Sequence, residues 1–488
     1  MKYPLYLVPY PKEITVSKDE NENCEYFEIG LRVYCEKAFH NAGVTFFDYS
    51  KKLFDIEACA VDNKDCADVV ITADASLKSD EYTLCSAGKR AVLKASDAGG
   101  AVKAVVTLIQ LMKKLDGKLY CCEAEIRDMP TVSYSAIMVD LARVWHDFDW
   151  LLKYVDLCCF YKVKTLHLHF TDDQSYTLPS ELFPKLSTEG RHYSFEQIKI
   201  LREYAKQRGV ELMPEIDVPG HCTAFQENYS DIFGTGGIIC QTFESIKAMK
   251  ELFGELCDMF PESRNIHIGG DEAAIQKWLE VDNDYYRSLG IDVKAEDEKY
   301  TSERLLANFV NEMANAVFEK GKQPIAWEGF AKCVNQYVRK DLIMVSWENY
   351  YQTAPDLLDG GYKIINCSWE PLYICTPRKY WQLKNVFEWN MYTWIPVHWS
   401  SPYYKSKLEI DEDDRVLGGG LCAWSDNIKR FYQNEIPDGV KEEFRLSAER
   451  LPAMSERLWH PGKTPVREFS EFLKSHVHLQ KSIEKICE

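Results

Sequence analysis

The sequence predicts an α/β protein: a (β/α)8 barrel of the TIM type, preceded by a smaller N-terminal α+β domain. Three observations predict it. From about residue 133, eight short apolar runs recur, each ending in polar or aromatic residues. Amphipathic helical segments lie between most of these runs, and the residues before about 130 lack that rhythm. Near-continuous apolar strands alternating with helices mean a parallel sheet covered on both faces. Eight such units favour a closed barrel over an open sheet.

Taken in order, "ADVVITAD" and "RAVLKASD" read as strands of the first domain. "AGGAVKAVVTLIQLMKKL" follows with apolar residues at helical spacing after a glycine pair. "IRDMPTVSY" is a proline-containing junction. The eight runs are then "YSAIMVDLAR", "KTLHLHFTDD", "VELMPEID", "NIHIGGDE", "QPIAWEG", "LIMVSWEN", "YKIINCSW" and "GGGLCAWSD". "SFEQIKILREYAKQRG" and "SERLLANFVNEMANAVFEKG" supply helices between runs, and "EEFRLSAERLPAMSERLW" reads as a final helical layer. The chain therefore divides into an accessory domain over 1–130 and a barrel with its C-terminal helix over 131–488.

Composition narrows the function classes. Hydrophobic residues make up 46% of the 488, ample for a large core. Lys and Arg number 58 against 76 Asp and Glu, a formal charge of −18. An acidic chain repels nucleic acid and anionic membranes, so neither is expected as a partner. No stretch approaches the roughly 18 uncharged apolar residues of a membrane span. The opening "MKYPLYLVPYPKEITVSK" is broken by Pro4, Pro9 and Pro11 and makes a poor signal peptide. The 17 cysteines are scattered, and pairs such as Cys121-Cys122 and Cys158-Cys159 sit in apolar segments. That pattern suits reduced thiols packed in the core of a cytoplasmic protein.

In a barrel of this kind the active site lies at the C-terminal strand ends. The tails of the eight runs supply Asp140, Arg143, His167, His169, Asp172, Asp173, Glu215, Asp217, Asp271 and Glu272, with Trp327, Trp347, Trp369 and Trp424. Acids, one arginine and several indoles around one pocket point to a sugar site. Indole faces stack on pyranose C–H surfaces, while carboxylates and guanidinium hydrogen-bond hydroxyls. His167 and His169 could be a metal pair on one strand face, but they read first as buried, hydrogen-bonded histidines. No cysteine or histidine cluster has structural zinc spacing, and no cofactor is expected. Asp271 and Glu272 are adjacent, and consecutive strand residues face opposite ways. Both reach one pocket only if the strand ends there and the chain turns, which Gly269 and Gly270 permit.

On "MVDLAR", "KVKTLHLHFTDDQSY", "MPEIDVPGH", "HIGGDE" and "LPAMSERLWHPG", the chain resembles glycoside hydrolase family 20, the β-N-acetylhexosaminidases, over nearly its whole length. The resemblance implies a retaining exo-enzyme that removes terminal GlcNAc or GalNAc by substrate-assisted catalysis. It implies Glu272 as general acid and Asp271 as the residue orienting the 2-acetamido group. It implies Asp172 and His221 as a supporting pair, and Tyr373 as holder of the acetamide oxygen, with Tyr392 the weaker alternative. Arg143 falls on the substrate-binding arginine, and Trp327, Trp347 and Trp424 on the aromatic wall. Three positions depart from the family pattern: Asp426 where Glu is frequent, Cys375 where Asp or Asn is frequent, and Val144 where His is frequent. All three are expected near the pocket rim. An apolar pocket and the neighbouring Asp271 anion are expected to raise the pKa of Glu272. The rival readings are a metal-dependent barrel hydrolase using His167, His169 and an acid, and a catalytically idle sugar-binding barrel.

Overall fold

In a computed structural model that describes residues 2–17, 23–294, 297–377, 381–433 and 435–488, the eight apolar runs are eight parallel strands. They are Tyr134–Asp140 (β1), Thr165–His169 (β2), Glu211–Val218 (β3), Asn265–Gly269 (β4), Gln323–Trp327 (β5), Ile343–Ser346 (β6), Lys363–Asn366 (β7) and Val416–Trp424 (β8). Each pairs with its neighbour in chain order, and β8 pairs with β1, with Tyr134 opposite Gly418, so the barrel closes. Nearly every strand residue is buried, which is why the sequence shows continuous apolar runs and not alternation.

β8 is longer than its neighbours, and its upper half leaves β7. There it pairs with a short extra strand, Tyr373–Cys375, in the register Tyr373 to Cys422 and Cys375 to Trp424. That insertion carries Tyr373 and Cys375 to the C-terminal mouth of the barrel.

The helices follow their sequence signals closely. Helix Phe195–Gln207 opens on a capping box between Ser194 and Gln197. Helix Glu298–Glu319 spans the "SERLLANF" segment and starts four residues earlier, with Asp297 accepting from the Tyr300 N–H. The closing layer is helix Ile436–Trp459, and a second helix, Phe469–Ile486, packs after it with Phe472, Leu479, Ile483 and Ile486 buried.

Residues 2–128 build a four-stranded and a seven-stranded sheet. The helix read over 98–115 ends at Leu111. Its last residues, Met112–Leu115, form a strand paired with Lys118–Cys122, because Asp116 and Gly117 take positive φ and turn the chain back. Polar anchors join these residues to the barrel. Gln110 donates to the Phe160 carbonyl at 2.9 Å, and Tyr49 donates to Asp156 at 3.0 Å. Lys162 donates to the Tyr82 hydroxyl at 2.8 Å. Among the described residues, no helix is long and apolar enough to cross a membrane.

Candidate active site

The strand β4 ends where the sequence places its two glycines. Gly269 and Gly270 adopt φ of +68° and +113°, and Glu272 follows at +47°. A Cβ on Gly269 would lie 2.0 Å from Asp217 Oδ1, so only glycine lets β3 and β4 approach this closely. The turn brings both acids to the pocket at the barrel mouth, which Arg143, Asp271, Glu272, Tyr373, Trp424 and Asp426 help to line. The same turn separates their surroundings. Asp271 is 7% exposed, and its Oδ1 is buried without a hydrogen-bond partner. The Glu272 side chain is 52% exposed, with His221 Nε2 3.7 Å from Oε2. The expected apolar enclosure of Glu272 is therefore not built by the protein alone; the left-handed turn lifts the acid to the rim.

Behind Glu272 runs a buried chain of alternating charges. His221 Nδ1 meets Asp172 Oδ1 at 3.2 Å. The other Asp172 oxygen takes Arg143 Nη2 at 2.7 Å and His169 Nε2 at 3.1 Å. Burial works to raise the Asp172 pKa, but the bonds from His169 and His221 and the Arg143 charge outweigh it and hold the carboxyl far below its ordinary range. His169 uses its second nitrogen on Glu215, at 2.8 Å. A ring bonded at both nitrogens to carboxylates is an imidazolium. Its pKa stands well above the ordinary value: burial opposes the charge, and Glu215 and Asp172 overcome it. For His221, burial likewise opposes the charge, while Asp217 and Asp172 raise its pKa to about 10.

Asp217 and Asp271 form the acidic side of this cluster. Burial pushes Asp217 up to about 7, against the opposing His221 charge. Burial first, and Asp217 second, push Asp271 well above the carboxylate range.

The pocket walls differ from expectation in three places. Trp327 is 1% exposed and lies beneath the pocket, not in its lining, because its indole N–H donates to the buried Glu215 at 2.6 Å. Trp369 takes its place in the wall, with its ring 5.3 Å from Tyr373 and 6.3 Å from Trp347. Val144 is not at the rim; it packs with Ile428 and Val440 in a separate apolar cluster. Cys375 and Asp426 do line the pocket. Asp426 is half exposed, 3.4 Å from Arg143 Nε, and the Arg143 guanidinium lies 4.8 Å over the Trp424 ring. Tyr373 lines the pocket, whereas Tyr392 is buried in the main apolar core.

His167 and His169 both bond the same Glu215 oxygen at 2.8 Å. Donor atoms of one metal ion stand about 2.0–2.2 Å from it and correspondingly further from one another. The pair clamps Glu215, and with His267 and Asp217 it forms two groups of buried donor atoms lying within 4.8 Å of one another.

Two buried acids escaped the sequence reading. Glu328 accepts from the backbone N–H groups of Trp347, Asn349, Tyr350 and Tyr351 at 3.3, 3.0, 2.6 and 3.2 Å. Glu348, directly after Trp347, is 5% exposed and near enough to Glu272 to feel its charge. The signal was present in "AWEG" and "SWEN", where a glutamate follows each strand-end tryptophan.

Residues 133–462 match the glycosyl hydrolase family 20 catalytic domain. The chain belongs to that family. It is 27% identical over 414 residues to the β-hexosaminidase subunit β of Mus musculus, covering 79% of this chain and 70% of that one. It is 33% identical over 236 residues to a β-hexosaminidase of Akkermansia muciniphila, covering 42% of this chain and 47% of that one. The fold superposes on the β-N-acetylhexosaminidase of Bacteroides fragilis with a TM-score of 0.77 at 22% identity, covering 99% and 96% of the two chains. It superposes on the Vibrio harveyi exo-β-N-acetylglucosaminidase, solved with N-acetylglucosamine, with a TM-score of 0.77 at 18% identity, covering 99% and 78%. The protein is a glycoside hydrolase of the β-N-acetylhexosaminidase class.

Proposed function

We propose that this enzyme removes terminal, non-reducing GlcNAc or GalNAc with retention, using the substrate's own 2-acetamido oxygen as nucleophile. The observation that carries the reading is the contrast within the acid pair: a buried Asp271 with an unpartnered oxygen next to a half-exposed Glu272. A conventional retaining site needs two carboxyls about 5–5.5 Å apart on either side of the bond, and substrate assistance is the established alternative of family 20. Adjacent residues suit the alternative.

The acetamide oxygen attacks C1, the C1–O bond to the leaving group breaks, and Glu272 gives its proton to the departing oxygen. The tethered nucleophile gains the advantage of high effective molarity. Asp271 Oδ1 accepts the acetamide N–H. The forming oxazolinium charge favours the Asp271 carboxylate, against the burial that raises its pKa. The Tyr373 hydroxyl donates to the acetamide oxygen, and Arg143 with Asp426 binds the hydroxyls on the far side of the ring. Water then attacks C1, Glu272 takes its proton, and the oxazolinium reopens to the acetamide. The unlinked cysteines, most of them buried, support a reducing compartment such as the cytoplasm.

The test is the 2-substituent. A 4-nitrophenyl β-glucoside should turn over negligibly beside the N-acetylglucosaminide, and a thiazoline mimic of the oxazolinium should inhibit strongly. Comparable turnover of the glucoside, or a trapped glycosyl ester on a carboxylate, would return the site to a two-carboxylate mechanism.

A further inference from the structure

The closing helix, Ile436–Trp459, buries a row of charges. Glu443, Arg450 and Arg457 follow one another at intervals of seven residues, about two helical turns, so the three share one face. None is more than 2% exposed. Each reaches a different segment of the barrel. Glu443 accepts from the Ser425 hydroxyl at 2.9 Å, Arg450 Nη1 donates to the Tyr373 carbonyl at 3.2 Å, and Arg457 Nε donates to the Trp389 carbonyl at 2.6 Å.

Arg450 is the least compensated of the three. Glu443 also meets the His146 ring at 2.9 Å, and Arg457 has a second carbonyl, that of Gly462, at 2.6 Å. Among the described residues no carboxylate forms an ion pair with Arg450, and its Nε is buried without a hydrogen-bond partner. Burial works against its charge. A guanidinium left this way is costly to bury, and an apolar side chain in its place is not. The acceptor it does meet is the backbone of the tyrosine in the pocket wall.

That backbone has little else to fix it. Strand Tyr373–Cys375 is three residues long and, among the described residues, pairs with β8 alone. Ring contacts set the tilt of the tyrosine: it lies 2° from the plane of Trp347 at 6.2 Å and 24° from Trp369 at 5.3 Å. Stacked faces resist tilting but slide over one another. A hydrogen bond to the carbonyl of the same residue stops the slide at its root, and so sets how far the hydroxyl reaches into the pocket.

Resting on the hexosaminidase reading above, we propose that Arg450 is a positioning residue for Tyr373: it holds the tyrosine's carbonyl so that the hydroxyl meets the acetamide oxygen, and it acts on the reaction only through that tyrosine. Arg450 is not part of the pocket lining, so it touches no substrate. The closing helix thereby bears on the chemistry from behind the pocket wall.

The experiment is a double-mutant cycle on kcat for 4-nitrophenyl N-acetyl-β-glucosaminide, combining Arg450→Met with Tyr373→Phe. Arg450→Met alone should lower kcat about tenfold, the scale of a misplacement below about 1 Å, with KM little changed. In the Tyr373→Phe background the same change should cost less than about twofold, because two residues acting through one contact are not additive. Arg450→Lys, which keeps the charge and a donor, should recover most of the loss. Full kcat in Arg450→Met, the same loss in both backgrounds, or a lysine variant no better than the methionine one would each overturn the proposal. Should Arg450→Met fail to fold, Arg450→Gln takes its place under the same criteria. If Tyr373→Phe alone leaves kcat unchanged, the role given to Tyr373 fails and the proposal with it. If the parent enzyme does not turn over the N-acetylglucosaminide at all, it is the hexosaminidase reading that fails.

Discussion

Gly269→Ala should slow the enzyme through geometry alone. The new Cβ would stand 2.0 Å from Asp217 Oδ1 and 2.6 Å from both the Asp217 Cα and the Val218 nitrogen. Two of the three obstacles are backbone, so no rotamer change relieves them. Asp217 Oδ1 is a side-chain atom that can swing aside, but reaching a tolerable 3.0 Å from the backbone atoms means moving β3 and β4 apart by about 0.4 Å, from 3.0 minus 2.6. Asp271 follows Gly269 by two residues, so it moves with the strand end. A misplacement of about 1 Å costs on the order of 100-fold in rate where orientation drives the chemistry, so about 0.4 Å with the Asp217 carboxyl displaced costs roughly tenfold. Gly321→Ala is the control, because it has a similar φ of +72° with nothing within 4 Å. It suffers the left-handed strain of about 1–2 kcal/mol without the collision. The assay is kcat on an aryl N-acetylglucosaminide alongside a thermal melt of each variant. Gly269→Ala should lose about one order of magnitude in kcat while still folding, and Gly321→Ala should lose only stability. Full activity in a folded Gly269→Ala would refute the claim that glycine is needed there to seat the acid pair.

Four further outcomes are expected. Asp271→Asn should cut kcat by roughly 10²–10³, the usual worth of preorganised charge at a transition state, with KM little changed; an unchanged kcat would contradict a charge role for Asp271. Asp217→Asn should melt higher than the parent at pH 8 and lose that advantage progressively, down to about pH 4. The folded pKa of Asp217, about 7, exceeds an unfolded value near 4, so its contribution is complete below about pH 4 and lost as pH rises through 7; a pH-independent difference would exclude this origin. His169→Gln removes the buried imidazolium between Asp172 and Glu215 and should destabilise by about 3–5 kcal/mol in denaturant unfolding, whereas a loss under about 1 kcal/mol would mean the pair is not ionic. Asp426, half exposed beside Arg143, should read the 4-hydroxyl weakly, giving a GlcNAc over GalNAc preference below about 100-fold, or about 2.7 kcal/mol, that Asp426→Glu raises; prolonged chelation should leave either activity intact.

The barrel was legible because its strands are buried on both faces and therefore appear as unbroken apolar runs. The acid pair was legible because the two glycines before it mark a turn. What the sequence hid was depth. Trp327 and Trp347 both end strands, yet one is a floor bonded to Glu215 and the other a wall, and only the three-dimensional position of Glu215 separates them. Glu348 and Glu328 look alike beside their tryptophans, but one faces the acid while the other serves a loop. The strand Met112–Leu115 stayed hidden because "MKKL" continues a helical pattern and only its tertiary pairing overrides that preference.

Closure of the barrel by β1 and β8 sets a timetable for synthesis. Asp140 and Arg143 leave the ribosome early, but Ser425, whose N–H meets Asp140 at 3.2 Å, and Asp426 come some 280 residues later. At about 5–20 residues per second, tens of seconds pass between the synthesis of β1 and that of the eighth strand that covers its seam. During that interval β1 is an open, almost wholly apolar edge, a target for holdase chaperones and for pairing with neighbouring nascent chains. Hydrolase activity should therefore appear on translating ribosomes only after residue 426 has cleared the exit tunnel, as a step and not as a ramp.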